Sequence, residues 1–111
     1  MMTKKIQTVL HSAGVYQHYY GYNYFQDAIL LALEDPCRLQ SIRKELYFPI
    51  AKKYHTSISN VERNLRTVRD ALIKNGGLEM LERLTGCPLP CKKMPYPKDL
   101  ICIFVNYLSE D

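Results

Sequence analysis

Apolar residues along the chain recur at helical spacing almost throughout, and no stretch alternates convincingly enough to predict a strand. The clearest case is 57–76, where Val61, Leu65, Val68 and Leu72 follow one another at intervals of four, three and four. On a wheel of about 100° per residue the other three lie within roughly 40° of Val61, which defines a stripe made for a core. Asn60, Arg63, Arg66 and Thr67 share the outward half of the first two turns, with Arg69 and Lys74 farther along. The stripe explains one face of this helix and leaves the arginine-rich face unexplained.

The flanking patterns predict further helices. Residues 5–13 carry Ile6, Val9 and Leu10 and stop at Gly14, a natural C-terminal glycine. Tyr24, Ala28, Leu31 and Ala32 are helically spaced ahead of Pro36. The tyrosines before them, Tyr16, Tyr19, Tyr20 and Tyr22, are read as packing the N-terminal arm onto the core rather than as a platform for stacked bases. Leu39, Ile42 and Leu46 mark a helix that has to bend or end near Phe48, because Pro49 cannot donate an N–H and disfavours helix at the residue before it. Pro49 itself suits the first position of a new short helix, PIAKKY. His55, Thr56, Ser57 and Ile58 then lead to Ser59, which with Glu62 matches the S-x-x-E capping box. Short helix, tight turn and longer helix predict a helix-turn-helix over about 49–75.

Beyond it, Leu78, Met80, Leu81 and Leu84 predict a short helix ended by Gly86, followed by the irregular CPLPCKKMPYPKD. Pro97 opens a last helix in which Leu100, Ile101, Ile103, Phe104, Tyr107 and Leu108 cover more of the circumference than a surface helix requires. Burial in the core is the preferred reading of that breadth, self-association the alternative. The expected fold is an all-α, compact bundle of about six helices forming a single domain over 1–111.

Composition excludes more than it adds. At 111 residues and 47% apolar the chain suits one modest core, and no apolar run approaches the roughly 20 residues of a membrane span or resembles a secretory signal. Cys37, Cys87, Cys91 and Cys102 are read as reduced thiols, since the spacing in CPLPC fits neither a redox C-x-x-C nor a zinc knuckle. His11, His18 and His55 are scattered, and no nucleophile-base grouping or glycine-rich phosphate loop is present. No enzyme, cofactor, metal, small-molecule substrate or membrane partner is expected.

Charge points to a partner instead. The net charge is +4, but nine lysines and arginines face only three acids within 37–75, while the rest of the chain is net acidic. A concentrated basic face suits a polyanion, here double-stranded DNA. The candidate recognition helix, about 59–75, offers Ser59, Asn60, Glu62, Arg63, Arg66 and Thr67 to a major groove. Arginine can fork onto guanine or phosphate, and Asn and Thr can bond base edges or backbone. Arg69 and Lys74 suit phosphates, as do Lys52 and Lys53 on the preceding short helix; Lys92, Lys93 and Lys98 could add more. Glu62 has two readings, a cap folded back to Ser59 or an acceptor for a cytosine amino group.

These residues carry a resemblance. The opening I-x-x-x-L-H-x-x-G-V from Ile6, the G-Y-x-Y from Gly21 with Ala28 and Ile29, the L-Y-x-x-I-A-K-K-Y block at 46–54 and S-x-V-E-R-x-L-R from Ser59 resemble the C-terminal effector domain of the master sporulation response regulator of endospore-forming bacteria. The resemblance covers nearly the whole chain. It implies a helical DNA-binding domain, a cytoplasmic, nucleoid-associated regulator of transcription that binds short boxes singly or as paired copies on tandem boxes, with Glu62, Arg63 and Arg66 at matching contact positions. Asn60 stands where the family has arginine and Thr67 where it has histidine, which implies altered or relaxed base preference. The family's receiver domain has no counterpart in these residues, and the clean start before the first helix favours a natural stand-alone effector over a fragment. A protein-interaction module without specific readout is the competing reading.

Overall fold

In the computed structural model, which describes residues 2–16, 21–85 and 96–109, the regular elements are all helical. Helix α1 (Met2–Ser12) ends where the sequence places its stop. Gly14 adopts φ 86°, and the N–H groups of Gly14 and Val15 return to the carbonyls of His11 and Leu10 at 3.0 and 2.9 Å. This is the paired closure that a left-handed residue allows at a helix end. Asn75 Nδ2 donates to the Gly14 carbonyl at 2.7 Å, fastening this end to that of a helix far along the chain. Tyr22 opens α2 (Tyr22–Glu34) and is buried, its hydroxyl 3.3 Å from His11 Nε2, as expected of an arm packed on the core. Tyr16 is exposed, whereas Tyr19 and Tyr20 lie outside the described residues.

Between α2 and the next helices the chain departs from expectation. A 3-10 segment (Pro36–Ser41), capped by Asp35 through the Cys37 N–H, runs into a π turn (Arg43–Tyr47) and then directly into α3 (Phe48–Lys53). Pro49 therefore breaks nothing. In a regular α turn its ring would collide with the carbonyl four residues back; the wider π turn, closed by the Phe48 N–H on the Arg43 carbonyl, avoids this.

Helix α3 ends like α1, but with a histidine in the left-handed position. His55 has φ 54°, and the N–H groups of His55 and Thr56 return to Lys52 and Ala51 at 3.4 and 2.9 Å. Ser57 then caps α4 (Ile58–Lys74), its hydroxyl accepting the Asn60 N–H at 3.1 Å. The cap is thus Ser57 and not Ser59, and the turn is shorter than the capping-box reading implied.

Val61, Leu65, Val68 and Leu72 of α4 are all fully buried, as the stripe requires. They meet α2, α3 and α6 (Pro97–Ser109); α5 (Gly77–Thr85) packs beside them. Phe25 and Phe104 meet edge to face at 5.6 Å where α2 crosses α6. Leu100, Ile101, Phe104, Val105 and Leu108 are buried and Ile103 and Tyr107 are half-buried against them, so most of the breadth of the last apolar helix is core. Each large apolar side chain hidden this way is worth about 1.5–3 kcal/mol.

Candidate nucleic-acid interface

Because α4 is fixed from one side by its buried stripe and at its start by Ser57, its opposite side has a defined direction. Arg63 and Arg66 stand there, exposed, one turn apart, with no ion pair among the described residues. Thr67 is exposed beside them, its hydroxyl donating to the Arg63 carbonyl at 3.1 Å, which leaves oxygen lone pairs outward. Ser59 is exposed in the first turn, and Lys74 at the last. Lys52 is exposed on the final turn of α3, and Lys44 on the π turn; neither has an ion pair among the described residues.

Other candidates are held differently. Lys53 Nζ lies 3.0 Å from Asp27 Oδ2, and the same oxygen accepts the Tyr54 hydroxyl at 2.7 Å. Burial first, and then that hydrogen bond, raise the Tyr54 phenol above its ordinary value. Asp27 is buried on α2 and escaped the sequence reading; an acid at helical spacing from Tyr24 and Leu31 was the available signal. Arg69 is turned along the helix onto Asp70 at 3.1 Å with its side chain only 14% exposed, so it does not stand beside Arg63 and Arg66. Asn60 is half-buried, its Nδ2 donating to Thr56 Oγ1 at 2.8 Å across the turn.

Glu62 does not cap the helix. Its Oε1 lies 3.2 Å from Arg43 Nε on the π turn. Buried Tyr47 sits close by, its phenol pushed up to about 12 by burial above all, with Glu62 adding to the rise and Arg66 and Arg43 opposing it.

The bases of the middle region thus divide into two sets. Arg38, Arg43, Lys53 and Arg69 hold acids, whereas Lys44, Lys52, Arg63, Arg66 and Lys74 are exposed and hold none among the described residues. Lys98 is exposed on α6; Lys92 and Lys93 lie outside the described residues. Cys37 and Cys102 are free thiols, Cys87 and Cys91 lie outside the described residues, and among those described no grouping of His, Cys, Asp or Glu could hold a metal. None of the described helices is long and apolar enough to cross a membrane.

What this surface can do is present fixed cations and hydroxyls to an anion. The model of the family described as sporulation initiation factor Spo0A C terminal matches residues 6–108, which bears out the resemblance read from the sequence, and the chain belongs to this family of DNA-binding effector domains of a transcription regulator.

Proposed function

We propose that α3, the turn and α4 form the helix-turn-helix, over about 49–75, of a single DNA-binding unit spanning 1–111, and that α4 enters the major groove. The observation that carries this reading is the pair Arg63 and Arg66: two exposed guanidinium groups one turn apart, with no acid to hold, on a helix whose other side is buried. Arginine presented in this way matches guanine or phosphate through two parallel hydrogen bonds. Ser59 and Thr67 add hydroxyls, and Lys52 and Lys74 reach phosphates on either side. Lys53 contributes field rather than contact because its single ammonium is committed to Asp27, and Arg69 does so because its side chain is mostly covered beside Asp70. The family is a DNA-binding regulatory one and not an enzyme family, and the chain works where the DNA is, in the cytoplasm, singly or as paired copies on tandem boxes.

Asn60 sets the specificity. Drawn back onto Thr56, it leaves its base pair without the guanine fork that an arginine would supply. The bound sequences should therefore relate to the family's box with weaker guanine preference at one position. Selection from a random duplex pool tests this, and recovery of the unaltered family box would refute it.

A fluorescence titration with a family-type duplex at several salt concentrations tests the reading as a whole. Specific binding predicts a steep salt slope and strong preference over a scrambled duplex. Weak, sequence-blind binding would instead favour the interaction module, a reading with less support because most of the apolar residues of α6 lie in the core.

A further inference from the structure

We infer that Arg43 is a phosphate-binding residue of the DNA interface and that Glu62 is its positioning residue rather than a reader of bases. The inference rests on the DNA reading above. Glu62 and Arg43 are unequal partners. The Glu62 side chain is 20% exposed and that of Arg43 64%, so the carboxylate is the fixed member and the guanidinium the presented one. The contact is made by Nε, at 3.2 Å from Oε1. The ion pair is made on the Nε side of the guanidinium, so the terminal nitrogens, which carry four of its five N–H donors, are left for two oxygens of a phosphate. Lysine could not hold a carboxylate and present a fork at once.

The location also fits. Glu62 immediately precedes Arg63 and lies one turn before Arg66. Arg43 is therefore drawn against the flank of the helix that carries both outward arginines. Its main chain is fixed as well, because the Arg43 carbonyl closes the π turn that accommodates Pro49. A carboxylate reading cytosine would have to leave this partner and approach a groove lined with phosphates. Neutralised by Arg43, it has no such repulsion to overcome.

The test uses the sign of an effect. Glu62→Ala removes a negative charge near DNA, so repulsion alone predicts tighter binding; loss of positioning predicts weaker binding. Fluorescence-anisotropy titrations of the full chain on a family-type duplex and on a scrambled one, each at several salt concentrations, would compare the wild type, Arg43→Ala, Glu62→Ala, Glu62→Gln and the Arg43→Ala/Glu62→Ala double variant. Arg43→Ala should weaken binding about tenfold on both duplexes and lower the log K against log salt slope by about 1. Glu62→Ala should weaken binding several-fold on both, and should cost nothing further once Arg43 is alanine. Glu62→Gln, which keeps an acceptor and the side-chain volume, should fall between wild type and Glu62→Ala, and it is the variant read if alanine unfolds the helix. Tighter binding by either Glu62 variant, a loss confined to one base pair of the box, or an unchanged salt slope for Arg43→Ala would each overturn the inference. A wild-type chain that fails to bind duplex even at low salt would overturn the DNA reading itself, and is recognised before any variant is made.

Discussion

The two faces of α4 share one backbone and have opposite physical roles. Inward, Val61, Leu65, Val68 and Leu72 have lost all contact with solvent. Outward, Arg63, Arg66, Thr67 and Lys74 are exposed, and the three cations there hold no acid among the described residues. Side chains of the first kind stabilise the fold by the apolar area they hide, whereas an exposed cation without a partner contributes almost nothing to folding. The outward residues are therefore free of the fold, and under the proposed function substitutions should separate cleanly into those that unfold and those that unbind. The largest effect belongs to the inward face. Leu65→Ala should destabilise the domain by about 2–5 kcal/mol, measured by denaturant unfolding, because the surrounding helices cannot collapse fully onto the space left. A loss below about 1 kcal/mol would mean that the stripe is less tightly packed than its burial implies.

On the outward face the same measurement should read nearly zero while binding falls. Arg63→Ala and Arg66→Ala should each cost about 1–3 kcal/mol of affinity for the selected box, with stability changed by less than about 0.5 kcal/mol. A base-reading arginine also relaxes preference at one position, so titration against single-base-pair variants distinguishes it from an arginine on phosphate. If either variant lowered stability as much as affinity, the division between the faces would fail.

A smaller effect separates cations by what they already hold. Lys52→Ala should weaken binding uniformly across sequences and lower the salt slope by about 1. Arg69→Ala should leave the slope nearly unchanged, since Arg69 is folded onto Asp70 and mostly covered. Equal slopes for the two would show that proximity in the chain, and not the ion pairs, decides which bases meet DNA.

How much of this was legible in the sequence follows from how local each cause is. The α4 stripe, the stop at Gly14, the break before Pro36 and the start at Pro97 depend on periodicity and on single residues with fixed backbone preferences, and all four stand in the structure. The cap at Ser57 is not distinguished by the sequence from the S-x-x-E match at Ser59. The bond that decides between them is made to the main-chain N–H of Asn60, which any residue would offer, so the S-x-x-E match at Ser59 carried no real weight. The π turn escaped because Leu39, Ile42 and Leu46 read alike in an α or a π helix, and because a proline can be accommodated as well as obeyed. The ion pairs Lys53–Asp27 and Arg43–Glu62 join residues far apart in the chain, brought together only when α2 and the π turn pack against α3 and α4. Counting charges located the basic region, and only packing showed which bases remain available.

The turn between α3 and α4 belongs to neither face, and His55 decides which it serves. Its φ of 54° is a left-handed conformation that a residue with a Cβ adopts at a cost of roughly 1–2 kcal/mol, and it fills the position held by Gly14 in the matching closure of α1. Glycine would remove that cost while adding freedom to the unfolded chain, so His55→Gly should stabilise the protein by up to about 1 kcal/mol. If the turn does no more than set the angle between the two helices, affinity for the box should stay within about twofold. His55 is exposed, however, and its main-chain N–H returns to the carbonyl of Lys52, itself a proposed phosphate contact. A several-fold loss of affinity in a more stable His55→Gly variant would therefore assign the turn to the outward face, making the strained histidine a DNA contact kept at the expense of stability.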